Sequence, residues 1–296
     1  DLARTRAPTT DETFRNEYMQ ALRLIERLHR LLGDIDRLAV AVRGGVDSMT
    51  LATLAHRFRS SAMKAETTMF HAVSPAVPNQ ATARVQDYAE RERWDLRIVD
   101  AGEFKDENYR ANPLNRCYFC KTNLYGTIAQ HTGWQIVSGA NTDDLGEYRP
   151  GLIAAKEHRV RHPFVEANID KATVRGIAHT LGLHNLAELP SSPCLSSRVE
   201  TGIRVEPQLL ALVNDVELMM REQLAPYRPL NLRCRIRTNL VAIEVDATCL
   251  NQIGESERAR LVSLVAQRCA AHGVNSLVTF APYRVGSAFL HERRAS

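Results

Sequence analysis

The chain has 296 residues, of which 44% are hydrophobic and 24% are charged, and its formal net charge is +4. Since single domains usually have about 100–200 residues, this length favours two domains. No apolar run reaches the ~18 residues that cross a bilayer, and the first residues are too polar for a signal peptide, so we expect a cytoplasmic protein. The charges are mixed rather than gathered into a basic stripe, so nucleic acid is not the expected partner.

Helix and strand patterns alternate through the first part of the chain. Apolar residues recur at helical spacing over 14–33, and RLAVAV at 37–42 is typical of a buried strand. Further strands are predicted at 66–73, 95–100, 135–140 and 160–164, and further helices at 48–59, 81–93, 119–131 and 170–181. This alternation predicts an α/β fold with a parallel sheet between helices, in which ligands bind beyond the carboxyl ends of the strands.

The pattern changes after Pro190. Helices are predicted at 206–222 and 256–272, and strands at 232–237, 241–246 and 275–280. We therefore expect an α/β domain over residues 1–190 and a smaller α+β domain over residues 191–296 that binds substrate or forms oligomer contacts.

Two adjacent glycines lie between a predicted strand and a predicted helix in AVAVRGGVDSMT, residues 39–50. Glycine lets backbone N–H groups turn inward to form an anion-binding nest, and the first turn of the next helix adds unpaired donors. A tight turn capped by Asp or Ser has the same composition. The Walker and dinucleotide-binding glycine patterns are both absent from the sequence, so a phosphate loop here is of another kind.

A second candidate element, SGANTDD at 138–144, also follows a predicted strand. Asp143 and Asp144 suit Mg²⁺, which proteins usually hold through one or two carboxylates together with nucleotide oxygens. An Asx-rich helix cap is the alternative interpretation. Beside the glycine loop, the magnesium interpretation is favoured.

Cysteines occur at positions 117, 120, 194, 234, 249 and 269. In a reducing compartment, grouped cysteines indicate a metal or redox site rather than disulfides. Cys117 and Cys120 form a C-x-x-C pair whose thiolates can reach one soft metal or cluster. Cys194 lies in the polar loop SSPCLSSR, where a buried structural thiol is the alternative. Structural zinc requires a fourth ligand that the sequence does not supply, whereas three thiolates on a four-iron cluster leave one iron open.

RGGVDS at 43–48 resembles the pyrophosphate loop S-G-G-x-D-S of the N-type ATP pyrophosphatases, or PP-loop enzymes. These enzymes cleave ATP between the α- and β-phosphates and activate an oxygen as an adenylate. The resemblance implies that the pyrophosphate is held by Gly44, Gly45, Val46, Asp47 and Ser48. Arg43 stands where that family usually has Ser, and it either adds positive charge to the phosphates or obstructs the loop.

A narrower resemblance, to the LarE-type sulfur transferases, covers about residues 20–280. Its most specific element is P-x-x-P-C-L-x-S-R at 190–198. The other segments, in chain order, are AVSPAVP (72–78), NPLNRCYFCKTNLY (112–125), SGANTDDLGEYRPG (138–151), the stretch 182–202 around the specific element, and LRCRIR (232–237). The resemblance also implies nucleotide or substrate contacts from Ser74, Gly139 and Arg149, and it suggests a homo-oligomer.

Members of that family insert sulfur into a pyridinium dicarboxylate mononucleotide during assembly of the nickel-pincer nucleotide. ATP and Mg²⁺ adenylate the substrate carboxylate, which then becomes a thiocarboxylate. Some members sacrifice one cysteine and leave dehydroalanine, whereas others use three cysteines to bind a 4Fe-4S cluster. The presence of Cys117, Cys120 and Cys194 implies the cluster-binding kind.

Arginines in the C-terminal part are candidate clamps for a substrate phosphate or carboxylate, because a guanidinium matches both geometries. The candidates are Arg198, Arg233 and Arg235. Arg233, Arg235 and Arg237 alternate along a predicted strand and so share one face, where like charges are costly without nearby anions. Glu244 on the next strand is either their internal partner or a ligand.

Three other functions compete with sulfur transfer to a small nucleotide. A cluster-dependent tRNA thiolase would use the same three cysteines, but the net charge is low and the sequence has no further zinc-ribbon cysteines or basic arm. A non-catalytic nucleotide- or cluster-binding sensor is favoured by Arg43 alone. An amidotransferase-type synthetase would leave the three cysteines without a purpose.

Overall fold

A computed structural model describes residues 10–59, 66–146, 149–190 and 193–289 of the protein. The polar N-terminal residues 1–9, Tyr148 of EYRPG, and the two serines before Pro193 lie outside the described residues. The chain divides into two compact units. Unit 1 is formed by described residues of Asp1–Ala72, Gln80–Asp100 and Tyr125–Ser191, and unit 2 by those of Val73–Asn79, Ala101–Leu124 and Ser192–Ser296.

Twelve α-helices and seven strands are found in the described residues. The helices are α1 (Thr10–Gly33), α2 (Val46–Arg59), α3 (Asn79–Glu92), α4 (Glu107–Arg110), α5 (Arg116–His131), α6 (Pro150–Glu157), α7 (Pro163–Glu166), α8 (Lys171–Thr180), α9 (His184–Ala187), α10 (Pro207–Gln223), α11 (Ala247–Gln252) and α12 (Glu255–Ala271). The strands are β1 (Arg37–Ala41), β2 (Glu66–Ala72), β3 (Asp95–Val99), β4 (Gln135–Ser138), β5 (Leu232–Ile236), β6 (Leu240–Val245) and β7 (Leu277–Pro282). Within these ranges, none of the helices combines the length and the apolar character needed to cross a membrane.

Unit 1 contains a four-stranded sheet with the order β3-β2-β1-β4, in which every neighbouring pair is parallel. In the register, Ala41 at the end of β1 lies opposite Phe70 of β2 and Ser138 of β4. The last four residues of β1 are all buried, as expected for a central parallel strand covered on both faces. The predicted α/β fold with a parallel sheet is confirmed.

The strand order of this sheet determines where a ligand can bind. The chain passes from β1 outward to β2 and β3, and then returns to the other side of β1 with β4. The loops that follow β1 and β4 therefore leave the sheet at its topological switch point, where open α/β sheets bind ligands. The glycine loop and SGANTDD are these two loops.

The core of unit 1 joins the sheet to helices on its faces. Leu28 and Leu32 are one helical turn apart on α1, and both are fully buried. Met49 of α2 and Ile177 of α8 complete the same apolar cluster. The glycine loop is thus attached to a strand and a helix that are both rigidly packed.

One predicted strand of this region, at 160–164, is wrong. Arg161 makes a single parallel bridge with Val137, and the chain then enters α7 at Pro163. Proline has no backbone N–H and suits the first position of a helix, so the apolar alternation cannot continue as a ladder. The predicted helix at 119–131 also begins earlier, at Arg116, so both thiols of NRCYFC lie on helix α5 rather than in a loop.

Unit 2 contains a three-stranded sheet with the order β5-β6-β7. The β5–β6 pair is antiparallel and the β6–β7 pair is parallel. Apolar residues of α10, such as Val213 and Val216, pack with Cys234 of β5 in one buried cluster. Cys249 and Cys269 are also buried there, and desolvation raises the pKa of all three thiols. These cysteines are core residues of unit 2.

A buried ion pair crosses the interior of unit 2. The side chains of Arg198 and Glu217 are only 1% and 4% exposed. Two parallel hydrogen bonds join them, from Arg198 Nε to Glu217 Oε1 at 2.9 Å and from Nη2 to Oε2 at 3.0 Å. Glu217 Oε1 also accepts a hydrogen bond from the backbone N–H of Cys234 on β5. Each charge depends on the other, because neither can be solvated by water.

Breaking this pair from one side should be costly. We expect Glu217→Gln to lower the free energy of unfolding by about 3–5 kcal/mol, since Arg198 would keep a buried and uncompensated charge. Asp215→Asn on the same helix removes the partner of the exposed Arg268 and should cost less than about 1 kcal/mol. Urea unfolding of both variants would measure the difference, and equal losses would contradict the burial argument.

Candidate functional site

The glycine loop has a backbone conformation that requires glycine at one of its two positions. Gly44 has a φ of 78°, and a Cβ atom placed there would lie 2.7 Å from the backbone oxygen of Ala81. At Gly45, a Cβ atom would meet no other atom within 4 Å. Gly44 therefore provides the left-handed turn and the close approach to α3, whereas open space adjoins Gly45.

Hydrogen bonds close the loop on itself. The Ser48 hydroxyl accepts from the backbone N–H of Arg43 at 3.0 Å and donates to the carbonyl of Gly45 at 3.3 Å. Arg84 Nη1 of α3 donates to the carbonyl of Gly44 at 2.7 Å. Both glycine carbonyls are thus occupied by donors of the protein. The side chain of Arg43 is exposed and is not buried in the loop.

Helix α2 begins directly after the glycines, at Val46. The first backbone N–H groups of any helix lack intrahelical acceptors, and the positive end of the helix dipole lies at the same place. Because the loop carbonyls are occupied and Gly45 leaves open space, this end of α2 can bind an anion such as a phosphate.

The loop after β4 packs against the glycine loop, backbone to backbone. A Cβ atom at Gly139 would lie 2.7 Å from the carbonyl carbon of Asp47 and 2.8 Å from the backbone nitrogen of Ser48. Only glycine permits this approach. It brings Asn141, which is 3% exposed, to Asp47, where Asn141 Nδ2 donates to Oδ1 at 3.1 Å.

The two carboxylates predicted to hold Mg²⁺ have different surroundings. Asp144 Oδ2 accepts from the backbone N–H of Asn141 in a capping box, and Arg149 Nη2 lies 3.3 Å from Oδ1. The Asx-rich cap, which was the alternative interpretation of this segment, is therefore present. Asp143 is exposed, and its Oδ2 accepts a 3.3 Å hydrogen bond from the backbone N–H of Lys171.

Lys171 was not identified from the sequence, yet it contacts both loops. Its Nζ lies 2.8 Å from Asp47 Oδ2, and its backbone N–H is bound to Asp143. A positive charge thus already occupies the space beside these carboxylates. Asp47 and Asp143 offer the hard oxygen ligands that Mg²⁺ prefers, and nucleotide oxygens would have to complete its coordination. No short sequence pattern links Lys171 to the SGANTDD loop, because 27 or more residues separate them.

His71 supports the glycine loop from the end of β2. It is fully buried, with Nδ1 3.0 Å from the carbonyl of Val42 and Nε2 2.9 Å from the hydroxyl of Thr82. A carbonyl can only accept, so Nδ1 carries the proton and Nε2 accepts from Thr82. Burial lowers the pKa of His71, which therefore stays neutral.

The three predicted thiols belong to unit 2. Cys117 is exposed at the start of α5, whereas Cys120 and Cys194 are half-buried against the core of the unit. Tyr109 is 1% exposed and lies near Cys120 and Cys194. Burial raises the pKa of the Tyr109 hydroxyl, and the two thiols raise it further. Its hydroxyl lies 2.7 Å from Ser196 Oγ.

The turn that carries Cys194 is held by its own hydrogen bonds. Ser197 Oγ donates to the Cys194 carbonyl at 2.7 Å, and Arg198 Nη1 donates to the carbonyl of Pro193 at 2.6 Å. The N–H of Leu195 donates to the carbonyl of Ala76 at 2.9 Å. Ser74, a predicted nucleotide contact, lies two residues before Ala76. Its hydroxyl accepts a hydrogen bond from the backbone N–H of Ala76.

The described residues do not form the three-thiol set that a 4Fe-4S cluster requires. Within them, no three His, Cys, Asp or Glu side chains are close enough together to hold a metal ion. The thiols lie in unit 2 and the glycine loop lies in unit 1. Their predicted convergence at one edge of the sheet stays a prediction.

Two of the three predicted arginine clamps, Arg198 and Arg235, form buried ion pairs with carboxylates. Arg235 Nε lies 3.1 Å from Glu244 Oε2, and Arg237 Nη2 lies 3.1 Å from Oε1. Glu244 is therefore their internal partner. Arg198 pairs with Glu217 and also donates to the carbonyls of Pro193 and Cys194. Its guanidinium therefore holds the turn that carries Cys194.

Arg233 of β5 is the third predicted clamp. It is 7% exposed, its Nη1 donates to the carbonyl of Leu232, and its guanidinium lies 5.7 Å from the ring centroid of Tyr283. Burial lowers the pKa of Arg233 and the Arg198 charge lowers it further, whereas the nearby Glu217 carboxylate raises it. That Arg233 binds a substrate anion stays a prediction.

The two glycines should respond differently to the same substitution. Gly44→Ala forces a methyl group into the left-handed region, which costs about 1–2 kcal/mol, and onto the backbone of Ala81, so we expect a clear loss of stability. Gly45→Ala meets no atom and should change stability by less than about 1 kcal/mol. Thermal unfolding of both variants tests this loop geometry, which would be refuted by equal effects.

The neutral state of His71 predicts a pH dependence. The unfolded chain binds a proton on this side chain as the pH falls through its ordinary pKa of 6.5, whereas the folded protein resists until lower pH. The stability from His71 is therefore present above that pH and lost below it. We expect His71→Gln to flatten the fall in unfolding temperature between about pH 7.5 and about pH 5.5. A curve parallel to that of the unaltered protein would contradict this; His56, whose pKa burial also lowers, accounts for a residual slope.

No family model matches the chain. Among solved structures, NMN synthetase from Francisella tularensis aligns with a TM-score of 0.44 and 17% identity, covering 60% of this chain and 75% of that one.

Three related sequences have higher identities to this chain than that structure has. Pyridinium-3,5-bisthiocarboxylic acid mononucleotide synthase of Lactiplantibacillus plantarum is 25% identical over 72% of this chain and 76% of its own length. Uncharacterized protein MJ0830 of Methanocaldococcus jannaschii is 26% identical over 75% of this chain and 82% of its own length. Uncharacterized protein slr1717 of Synechocystis sp. is 36% identical over 77% of this chain and 83% of its own length. The chain belongs to the same protein family as slr1717.

Proposed function

We propose that the protein is an ATP-using enzyme of the PP-loop class that adenylates a carboxylate and then replaces an oxygen of that carboxylate with sulfur. The observation that carries this proposal is the anion-binding turn at Gly44 and Gly45, packed through Gly139 against a loop rich in carboxylates. The name of the Lactiplantibacillus relative supports the chemistry, since its product is a bisthiocarboxylic acid mononucleotide. We infer pyridinium-3,5-dicarboxylate mononucleotide, or a similar nucleotide, as the acceptor, within nickel-pincer nucleotide assembly.

The first step overcomes the poor leaving ability of a carboxylate oxygen. The substrate carboxylate attacks the α-phosphate of ATP, the bond to the bridging oxygen breaks, and pyrophosphate leaves with its electron pair. The N–H groups at the start of α2 would stabilise the charge that develops on pyrophosphate. The space beside Gly45 leaves room for the pyrophosphate. The hydrogen bonds from Ser48 and Arg84 hold the loop in the conformation that keeps this space.

Magnesium is expected to assist this step. Asp47 and Asp143 would hold the ion, which would neutralise part of the phosphate charge. Asn141 orients the Asp47 carboxylate through its 3.1 Å hydrogen bond. The capping box between Asn141 and Asp144 holds the SGANTDD loop in its conformation.

The second step needs a sulfur nucleophile, and we assign it to Cys194. Its thiolate attacks the activated carbonyl carbon, and AMP leaves with the electrons of the broken C–O bond. Loss of the cysteine α-proton then breaks the Cβ–Sγ bond, which leaves dehydroalanine in the chain and a thiocarboxylate on the product. The hydrogen bonds from Ser197 and Arg198 fix the main chain of this turn, so the thiol has a defined position.

The remaining part of the substrate needs a counter-charge. We propose Arg233 for the phosphate of a mononucleotide, because a guanidinium matches the geometry of a phosphate. Arg235, the other predicted candidate on β5, is paired with Glu244. No step is assigned to an iron–sulfur cluster, since the described thiols do not form a ligand set for one.

The test follows pyrophosphate, thiocarboxylate and the mass of the chain after incubation with ATP, Mg²⁺ and the dicarboxylate mononucleotide. We expect Cys194→Ala to release pyrophosphate but form no thiocarboxylate, because activation precedes sulfur transfer. Cys117→Ala, the matched control, should retain both reactions, and the unaltered chain should lose one H₂S from Cys194 per turnover.

Other outcomes separate the competing functions. If anaerobically purified protein contains iron and sulfide, and Cys117→Ala abolishes sulfur transfer together with the iron, the cluster mechanism holds and the sacrificial one is wrong. If ATP releases no pyrophosphate with any acceptor, the protein is not an adenylating enzyme, and nucleotide binding alone would indicate a sensor. Thiolation of labelled tRNA would indicate a tRNA thiolase.

A further inference from the structure

Two histidines of unit 1 lie against each other where helix α8 gives way to helix α9. His179 is in the last turn of α8, and His184 is the first residue of α9. Their Nδ1 atoms are 3.2 Å apart, and their ring planes are inclined by 46°. Both side chains are exposed, so ions from the solvent can reach the pair.

A carboxylate on the far side of His179 fixes the position of its proton. His179 Nε2 lies 2.8 Å from Glu188 Oε1. Since a carboxylate only accepts hydrogen bonds, Nε2 carries a proton, and in the neutral ring Nδ1 then has a lone pair. That lone pair is directed at His184, whose own Nδ1 donates a proton to it in the free protein. A carboxylate behind an imidazole is also the arrangement that orients histidines which bind metal ions.

The distance between the two nitrogen atoms suits a shared metal ion. An imidazole nitrogen lies about 2.0–2.1 Å from Zn²⁺, so two such ligands of a tetrahedral ion are about 3.3 Å apart. The two Nδ1 atoms are already 3.2 Å apart. A metal ion would take the place of the proton between the rings, and that proton would pass to water. Imidazole is a preferred ligand of Zn²⁺, Ni²⁺ and Cu²⁺.

The main chain on both sides of the pair is held without help from the histidines. Gly182, with a φ of 77°, makes the left-handed turn between the two helices. Arg175 of α8 donates hydrogen bonds to the carbonyl of Ala187 and, at 2.8 Å, to that of Leu189. Helix α9 is therefore attached to α8 before any ion binds, and the two imidazoles are preorganised.

We propose that His179 and His184 form a surface site for one divalent transition-metal ion, with Glu188 as the residue that orients His179. Both Nδ1 atoms bind the ion, and water completes its coordination, because the described part of the chain brings no third ligand to the pair. The bound ion joins the end of α8 to the start of α9. None of these residues takes part in the proposed adenylation or sulfur transfer, so the inference is independent of that function.

The first experiment adds Ni²⁺ to the protein without nucleotide and follows hydrogen exchange of the backbone amides of residues 179–188. We expect Ni²⁺ to slow this exchange, because an ion that binds the folded form lowers the population of locally open forms. His184→Ala should abolish the slowing, whereas His272→Ala should retain it. His272 is the matched control, since its ring also lies beside a carboxylate, that of Asp215 at 3.3 Å, rather than beside a second histidine.

A second experiment counts the bound ions and measures their affinity by calorimetry. We expect His179→Ala and His184→Ala each to bind one Ni²⁺ ion fewer than the unaltered protein does. Thiols that bind Ni²⁺ elsewhere are present in all three proteins, so they do not affect this difference. Glu188→Gln should keep the site but weaken it by about tenfold, because loss of the group behind a metal-binding histidine usually costs about 10- to 100-fold in affinity.

Two results would overturn the inference. If Ni²⁺ does not slow exchange in the unaltered protein, or slows it equally in His184→Ala, the two rings form a hydrogen bond and no metal site. If the variants bind as many Ni²⁺ ions as the unaltered protein and exchange faster than it does in EDTA, the pair is structural. Neither measurement uses ATP, so either result leaves the proposed function unaffected, and a failure of adenylation would leave the metal site unaffected.

Discussion

The close approach of two backbone segments at Gly139 is the constraint on which the candidate site of unit 1 depends. The loops after β1 and β4 leave neighbouring parallel strands, and a side chain at residue 139 would collide with the main chain of Asp47 and Ser48. Because the two loops touch, Asn141 reaches Asp47 at the start of α2. The strand order places the crevice between these two loops. Because Gly139 has no side chain, the two loops can approach each other this closely.

In unit 2 the corresponding constraint is electrostatic. Arg198 and Glu217 are nearly inaccessible to water, so their pairing must be maintained for the unit to fold. The same guanidinium donates to the carbonyls of Pro193 and Cys194, so the charge pair that stabilises the interior also fixes the turn that carries the thiol. The arginine that the sequence marks as a substrate clamp is therefore better explained as the residue that positions Cys194.

Local patterns predicted most elements, because burial imposes a period on each of them. The four strands of the parallel sheet end one or two residues before their predicted ends, whereas the strand at 160–164 failed because Pro163 starts a helix. Gly44 and Asp47 were recognisable as parts of a short motif. Lys171 lies in no such motif, and the contacts of Lys171 and Asn141 with Asp47 could not be predicted, because they span 124 and 94 residues and no periodicity reports a contact of that range. The contact of Tyr109 with Ser196 could not be predicted for the same reason, because 87 residues separate them.

The two ion pairs that matter most here differ in burial, and this difference explains their different roles. The side chains of Arg198 and Glu217 are 1% and 4% exposed, so separating them would leave charges without solvent, and the pair acts as a fixed part of the framework. Those of Lys171 and Asp47 are 35% and 24% exposed, so water reaches both partners and the pair contributes little to stability. A buried pair cannot reorganise without leaving a charge unsolvated, whereas a half-exposed pair can, because water solvates each partner when they separate.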